Sequence, residues 1–444
     1  MKKALFIAFF LILTSSAQDK WITIFLHGGG AHPLYLNISD ALKLLHDDTQ
    51  DSIYVKTTEL LREDPYFMKL QPQNRIGLHK AFPVDKKPLR EYAGGEIFGQ
   101  LFNDINNAVG LPPTELYAFG WTGLLSCKSR RKSAEILYKA IKDLYYKTKK
   151  QGDNPRFRII AYSHGGNTAL HMGEAARNNG YTPFKIDELI LVSTPVHINT
   201  QFYLQNGLFK NVYLFYSKGD NIQSSDFVSS PTHSFAHHFF HKKHGPLPHT
   251  ITQVQIRIFR THIKIPQKDG TFHIMPKYEM VHPNHTEMFF FGWAPEWYRK
   301  YFPIKPLSVG LLIPFFLKTI NEQHLNGKHI RMTLYPEKEN MTIKIKDGEG
   351  KKEKELSVPF FTKQELTHFR KELQEFKPDN VTYKEYRTRM KKHWNEAKKS
   401  IRDSVKRREK IRKQKKQLKG QQVCNVSLFA PVVTESRKVP LIKS

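Results

Sequence analysis

The chain has 444 residues, of which 39% are hydrophobic and 25% charged, enough apolar material for a large buried core, which excludes a wholly disordered protein. Lys and Arg total 70 against 41 Asp and Glu, a formal net charge of +29 that implies an anionic partner wherever the charge is clustered. Two cysteines, Cys127 and Cys424, exclude a disulfide-rich scaffold and a cysteine-built zinc site, and leave open whether the two are bridged.

Residues 1–17 read as a signal peptide. Lys2 and Lys3 precede an apolar run from Ala4 to Leu13, and Thr14-Ser15-Ser16-Ala17 places small residues at a cleavage site. The run is well short of the ~20 residues a bilayer-spanning helix needs. The expectation is an exported protein, secreted or periplasmic, whose mature chain begins near Gln18.

Trp21–Leu26 has the β-branched and aromatic composition of a buried strand, ended abruptly by glycines. Helical segments follow at Ser39–His46 and Glu96–Val109, with an unassigned polar stretch between them. Leu116–Trp121 reads as a second strand. Ser129–Lys149 carries apolar residues at helical spacing (Ala134, Leu137, Ile141, Leu144, Tyr145) and lysines on its other face. Further strands are expected at Arg158–Tyr162, Leu189–Val192, Val212–Tyr216 and Val254–Phe259, the last of the series, and a helix at Asn167–Asn178. Short apolar strands alternating with amphipathic helices predict an α/β fold, a mainly parallel sheet with helices on both faces.

The composition changes near Pro303, so that residues 18–303 are expected to form the α/β domain and 304–381 a small β-rich or mixed appendage. Weak alternation at Ile330, Met332 and Leu334, then Met341, Ile343 and Ile345, marks the appendage strands. Residues 382–444 form a basic helical segment and tail. Lys384–Lys419 alone holds 17 Lys and Arg against 4 Asp and Glu, hence +13 of the +29, and contains no Gly or Pro inside the helix pattern before its end. Such a segment suits an anionic membrane surface or another envelope polyanion. Nucleic acid is the less favoured partner, because an exported protein meets little of it and aromatic residues occur only near the start of the segment.

Chemistry is concentrated at Ala161-Tyr162-Ser163-His164-Gly165-Gly166, directly between an apolar strand and a helix. Small residues two before and two after a serine allow the sharp turn that exposes its hydroxyl, and the turn points the N–H of His164 and the helix N-terminus at a developing oxyanion. His27-Gly28-Gly29-Gly30, at the end of the first strand, offers a second oxyanion donor from Gly29 or Gly30.

These residues resemble the lipase and esterase members of the α/β-hydrolase superfamily over about residues 19–300. The resemblance implies a serine nucleophile at Ser163 and a triad in the chain order Ser, acid, His. The acid then falls at Asp220, after the strand ending at Tyr216, with Asp226 as a reserve. The histidine falls at His285, in a loop expected to lead into a helix at Thr286, with His282 and His262 as reserves. No metal or cofactor is required by such chemistry. The expected substrate is a carboxylic ester, lipid or acyl esters foremost. The alternative is an inactive hydrolase-like fold that binds an envelope surface or polyanion through its basic segment. Two departures stand out: Ala161 replaces the usual glycine, and the signal peptide leaves no room for two strands that the family often places first, so a reduced sheet is expected.

Six histidines between Pro231 and His249 are interleaved with Phe235, Phe239 and Phe240. On a helix His233, His237 and His241 would share one face at a spacing able to hold zinc, although no acidic ligand lies among them. A flap over an apolar substrate and an ordinary packed loop are the other two readings.

Overall fold

The computed structural model describes residues 18–29, 38–49, 51–69, 74–81, 93–180, 182–227, 229–230, 232, 234–245, 247–267, 269, 271–293, 302–345, 355–377 and 382–426. The expected signal peptide, Gly30, His233 and the last part of the tail lie outside them.

In chain order the elements are β1 (Asp19–Leu26), α1 (Ile38–Leu45), α2 (Ile53–Glu63), α3 (Pro65–Met68), β2 (Gly77–Lys80), α4 (Gly94–Ala108), β3 (Thr114–Gly120), α5 (Cys127–Lys150), β4 (Asn154–Tyr162), α6 (His164–Asn178), β5 (Ile186–Val192), α7 (Ile198–Gln201), β6 (Phe209–Tyr216) and α8 (Asn221–Ser224). They continue with β7 (Ile251–Pro266), β8 (Phe272–Val281), α9 (Ile313–Glu322), β9 (His329–Tyr335), β10 (Asn340–Ile345), β11 (Glu355–Pro359), α10 (Lys363–Glu375) and α11 (Tyr383–Val426).

Among the described residues the strands form one mixed sheet of 11, ordered β11-β10-β9-β7-β6-β5-β4-β1-β3-β2, with β8 paired to β7 beside that path. β3, β1, β4, β5, β6, β7 and β9 run parallel, while β2, β8, β10 and β11 are antiparallel to their neighbours. The fold is therefore α/β with a mostly parallel sheet and helices on its faces.

Side chains alternate across the sheet, as the strand period demands. Phe25, Ile160, Tyr162, Ile190, Val192 and Phe215 face one core, closed by α4, α9 and the segment around Met288–Trp293. Ile24, Leu26, Ile159, Ala161, Leu189, Leu191 and Leu214 face the other, closed by α5 and α6. Each large side chain buried this way contributes roughly 1.5–3 kcal/mol before entropic costs. Both cores are continuous along the sheet, which holds the carboxyl ends of its parallel strands in fixed relation.

Several expectations change here. The strands expected to form an appendage within 304–381 instead extend the main sheet, because β9 pairs in parallel with β7. Ile330, Met332, Leu334, Met341 and Ile343 are fully buried in the same core as Phe25. Val254–Phe259 belongs to a longer strand and is followed by four more, so the sheet is large rather than reduced. Thr286 starts a turn, not a helix. Its N-terminal polar groups are braced locally, Asn284 N–H donating to Glu287 at 2.7 Å and Glu287 N–H to the Asn284 side chain at 2.9 Å. The basic segment is helical, as its composition predicts. Its first half docks on α2 and α3 through Asp64, which receives Arg389 at 3.1 Å and His393 at 2.8 Å. Cys127 is a buried free thiol.

Candidate active site

β4 ends at Tyr162 and α6 begins at His164, leaving Ser163 alone in the turn. Its φ of +52° is rare for a residue with a side chain, a strain of roughly 1–3 kcal/mol that the surroundings must hold. They do so through tight packing on both sides. A Cβ at Gly165 would lie 2.4 Å from the His27 carbonyl oxygen, and one at Gly166 would lie 1.9 Å from Thr194 Oγ1. Only glycine lets α6 approach β1 and the end of β5 this closely. Ser163 N–H is bound to the Val192 carbonyl at 2.8 Å, tying the turn to β5.

The loop after β1 runs along the same turn. A Cβ on Gly28 would meet the Tyr162 ring at 2.8 Å and Ser163 Cβ at 3.1 Å, and one on Gly29 would lie 3.4 Å from the His164 ring. Gly28 and Gly29 thus flank Ser163 with their backbone, next to the first N–H groups of α6, which have no partner inside the helix.

His27 is a pin for this loop and not a proton carrier. Its Nε2 accepts from the Arg62 guanidinium at 2.6 Å and from Trp121 N–H at 3.2 Å, while Nδ1 donates to the Gly28 carbonyl at 2.7 Å. Burial, with Arg62 adding to it, holds its pKa well below the ordinary histidine value. The Trp121 indole N–H closes the clamp on the His27 carbonyl at 2.8 Å.

Asp220 follows β6 and is fully buried. His285 lies in the loop after β8. Its Nδ1 is 2.9 and 2.8 Å from the two carboxylate oxygens of Asp220, and its Nε2 is 3.0 Å from Ser163 Oγ. With Nδ1–H donating to the carboxylate, Nε2 is left to accept the serine proton. Asp220 is oriented by Gln223 N–H at 2.9 Å. The loops carrying Asp220 and His285 touch at Gly219, where a Cβ would lie 2.4 Å from the His282 carbonyl. The Tyr162 hydroxyl donates to the His285 carbonyl at 2.9 Å, and its ring packs against those of His285 at 4.9 Å and Phe289 at 4.8 Å.

The structure thus brings Ser163, His285 and Asp220 together, with His164 and Gly29 beside them. The reserves serve other purposes. Asp226 accepts from His197 at 2.8 Å and lies 3.5 Å from His164 Nε2. Burial lowers the His164 pKa to about 3, with Arg130, His197 and His285 adding to the effect against Asp226, so that ring is neutral at pH 7. His262 sits on β7 beside the Thr261 hydroxyl at 2.8 Å, and His282 contributes its carbonyl to the Gly219 contact.

The described residues of the histidine-rich segment form a loop with one short 3-10 turn at Lys242–His244, and His237 and His241 do not share an α-helix. His237 bridges Val196 through backbone bonds of 2.9 and 3.0 Å, and His238 Nε2 donates to the Asp220 carbonyl at 3.0 Å. Phe240 is buried and Phe235 is exposed, and through His238 the segment holds the backbone of Asp220. Among the described residues no group of three His, Cys, Asp or Glu is arranged to hold a metal ion.

Sequence reasoning missed Tyr162, Trp121, Arg62, Gln223 and His197. Tyr162 stands inside the recognised turn; the others carry no local pattern that marks them. No protein-family model, curated protein or solved structure matches the chain.

Proposed function

We propose that the chain is an exported serine hydrolase of the α/β-hydrolase type that cleaves carboxylic esters, lipid or acyl esters foremost, through an acyl-enzyme. The observation that carries this reading is the unbroken series from Ser163 Oγ to His285 Nε2 at 3.0 Å and from His285 Nδ1 to Asp220 at 2.8 and 2.9 Å. It is supported by the Ser, Asp, His order along the chain, by the strained strand-to-helix turn, and by the position of the turn. β1 is flanked by β3 on one side and β4 on the other, which makes its carboxyl end the point where strand order reverses and a binding crevice forms.

In this mechanism Ser163 Oγ bonds to the ester carbonyl carbon as its proton passes to His285 Nε2. Asp220 keeps the imidazole in the required tautomer and stabilises its charged form. The N–H groups of His164 and Gly29 hold the oxyanion. The bond to the alcohol then breaks, His285 returning the proton to the leaving oxygen, and water repeats the cycle on the acyl-enzyme to release the acid.

The test is labelling of the mature protein with a fluorescent fluorophosphonate beside Ser163→Ala. Labelling of the wild type alone is the expected result. A folded wild type that stays unlabelled, with and without detergent micelles, refutes the reading. A second reading, an inactive fold docked on an anionic envelope surface, is favoured by the far half of α11, where residues 405–418 are all exposed and carry eight basic side chains against one acidic. It requires that binding to phosphatidylglycerol vesicles be lost on truncation after Ser400 while Ser163 stays unreactive.

A further inference from the structure

β7 and β8 form an arm that leaves the sheet on the side of the candidate active site. β7 runs parallel to β6, so it ends beyond the same carboxyl edge that carries Ser163 after β4 and Asp220 after β6. Its pairing with β6 stops at Gln255 and its pairing with β9 at Ile258, whereas its pairing with β8 starts at Ile258 and continues to Pro266. Phe259 to Pro266 therefore belongs to a two-stranded ribbon, roughly 25 Å long at the rise of a strand. Phe259 anchors its base on the Tyr335 ring at 5.3 Å, and a register shift between Arg260 and His262 bends it. β8 returns from the tip to Val281, and His285 follows four residues later. The arm is thus joined directly to the loop that holds the candidate base.

The ribbon carries large apolar side chains into solvent. Tyr278 is 71% exposed, Ile274 57% and Met275 41%. Strand alternation puts Ile274, Pro276 and Tyr278 on one face, and all three are exposed there. In the register His262 stands opposite Pro276 and Lys264 opposite Ile274, so basic positions border the apolar stripe. Over residues 259–280 the sequence holds four Lys and Arg (Arg260, Lys264, Lys268, Lys277) against Asp269 and Glu279, 4 minus 2 or a net +2, with His262 and His273 besides. Glu279 is flanked by both Arg260 and Lys277, so it presents no net negative charge. On the same edge, after β6, Lys218 and Ile222 are exposed on either side of Asp220. A strand of a second copy fits this ribbon poorly, because Pro276 lacks a ladder donor and Lys277 beside it opposes edge pairing. A lipid surface needs no backbone partner. It takes apolar side chains between its acyl chains, a tyrosine hydroxyl at headgroup level and cations on its anionic headgroups.

We propose that the β7–β8 arm docks the protein on an anionic lipid surface, with Ile274, Pro276 and Tyr278 entering the headgroup region, and so holds the candidate active site at the interface from which its ester is drawn. The source of the ester rests on the ester-hydrolase reading; the docking does not. This surface is separate from the basic half of α11, which carries charge without a comparable apolar stripe.

The test measures partitioning of the mature full-length protein onto vesicles of phosphatidylcholine and phosphatidylglycerol by co-sedimentation. Ile274→Asp combined with Tyr278→Asp is expected to weaken partitioning roughly 10- to 100-fold, with the thermal melt as a control for folding. Tyr278→Trp is the second variant. Its added emission is expected to shift to the blue on the vesicles and to be quenched by brominated acyl chains beyond the quenching seen in wild type. Unchanged partitioning of the folded double variant, as binding through α11 alone would give, overturns the proposal. So does a Tyr278→Trp emission that the brominated chains do not reach. A dimer in sedimentation velocity without lipid, dissolved by the same two substitutions, overturns it in favour of a second copy. Partitioning needs no catalysis, which separates the two claims. Arm-dependent partitioning without fluorophosphonate labelling sinks the hydrolase reading and keeps the docking arm, and labelling without arm-dependent partitioning does the reverse.

Discussion

Replacing Asp220 by Asn tests the assignment of the acid, because one buried and one partly buried aspartate, Asp220 and Asp226, follow β6 and only Asp220 reaches His285. In the wild type Asp220 Oδ1 receives Gln223 N–H at 2.9 Å, and both carboxylate oxygens lie within 2.9 Å of His285 Nδ1. In Asp220→Asn the Gln223 N–H holds the amide oxygen at the Oδ1 position, so the amide NH₂ takes the other position, 2.8 Å from Nδ1. That NH₂ meets Nδ1–H proton to proton, which favours the tautomer in which Nδ1 accepts and the ring proton sits on Nε2, over the one in which Nδ1–H is kept by the oxygen at the Oδ1 position, 2.9 Å away. Nε2 then donates to Ser163 Oγ and cannot take its proton. Loss of the correct tautomer and of the counter-charge costs about 10³- to 10⁴-fold in rate, or about 4–5.5 kcal/mol in the barrier. The assay is the second-order rate of fluorophosphonate labelling, with the thermal melt as a control for folding. Asp226→Asn, which disturbs only His197, His164 and Ser229, is expected to stay within about tenfold of wild type. Labelling of Asp220→Asn within tenfold of wild type, or an equal loss in Asp226→Asn, refutes the assignment.

The strained turn gives a stability prediction of opposite sign to activity: Ser163→Gly, free at φ +52°, should be about 1–2 kcal/mol more stable than Ser163→Ala in urea titration while both are unreactive. Gly166→Ala should lose several kcal/mol and most labelling, since its Cβ would overlap Thr194; an unchanged urea midpoint would contradict the packing described. Acidification should destabilise the fold between pH 6.5 and about 4. Burial lowers the pKa to about 4 for His171 and His237 and about 3 for His164. The unfolded chain therefore binds protons in this window that the folded chain refuses. Each such histidine costs up to about 1.4 kcal/mol per pH unit, less for the partly exposed His237, so a melting temperature that holds or rises on acidification would contradict this. Truncation after Lys377 should destabilise the protein by removing Tyr386, Met390 and Ala397, all buried, whereas truncation after Ser400 should leave the melting temperature within a few degrees.

The parts of this protein written in its sequence are those whose cause is local. β1, β4, β5 and β6 are legible because a strand buried on both faces needs an unbroken apolar run. The nucleophile turn is legible because close approach of α6 to β1 leaves no room for a side chain at Gly165. The long basic helix α11 is legible from composition. Tertiary structure alone decided what depends on distant pairing. The Ser163–His285 contact spans 122 residues and the His285–Asp220 contact 65, and no pattern within one segment separates Asp220 from Asp226. The strands of residues 329–359 alternate like an independent small sheet, and only their register against β7 makes them the edge of the main one. His237 and His241 stand at helical spacing in the sequence but lie in a loop, where His237 is bridged to Val196 and Phe240 is buried. Arg62 had no signal at all: an arginine on an amphipathic helix reads as solvent-facing, and its contacts with His27 and the Asn74 carbonyl exist only once α2 is folded.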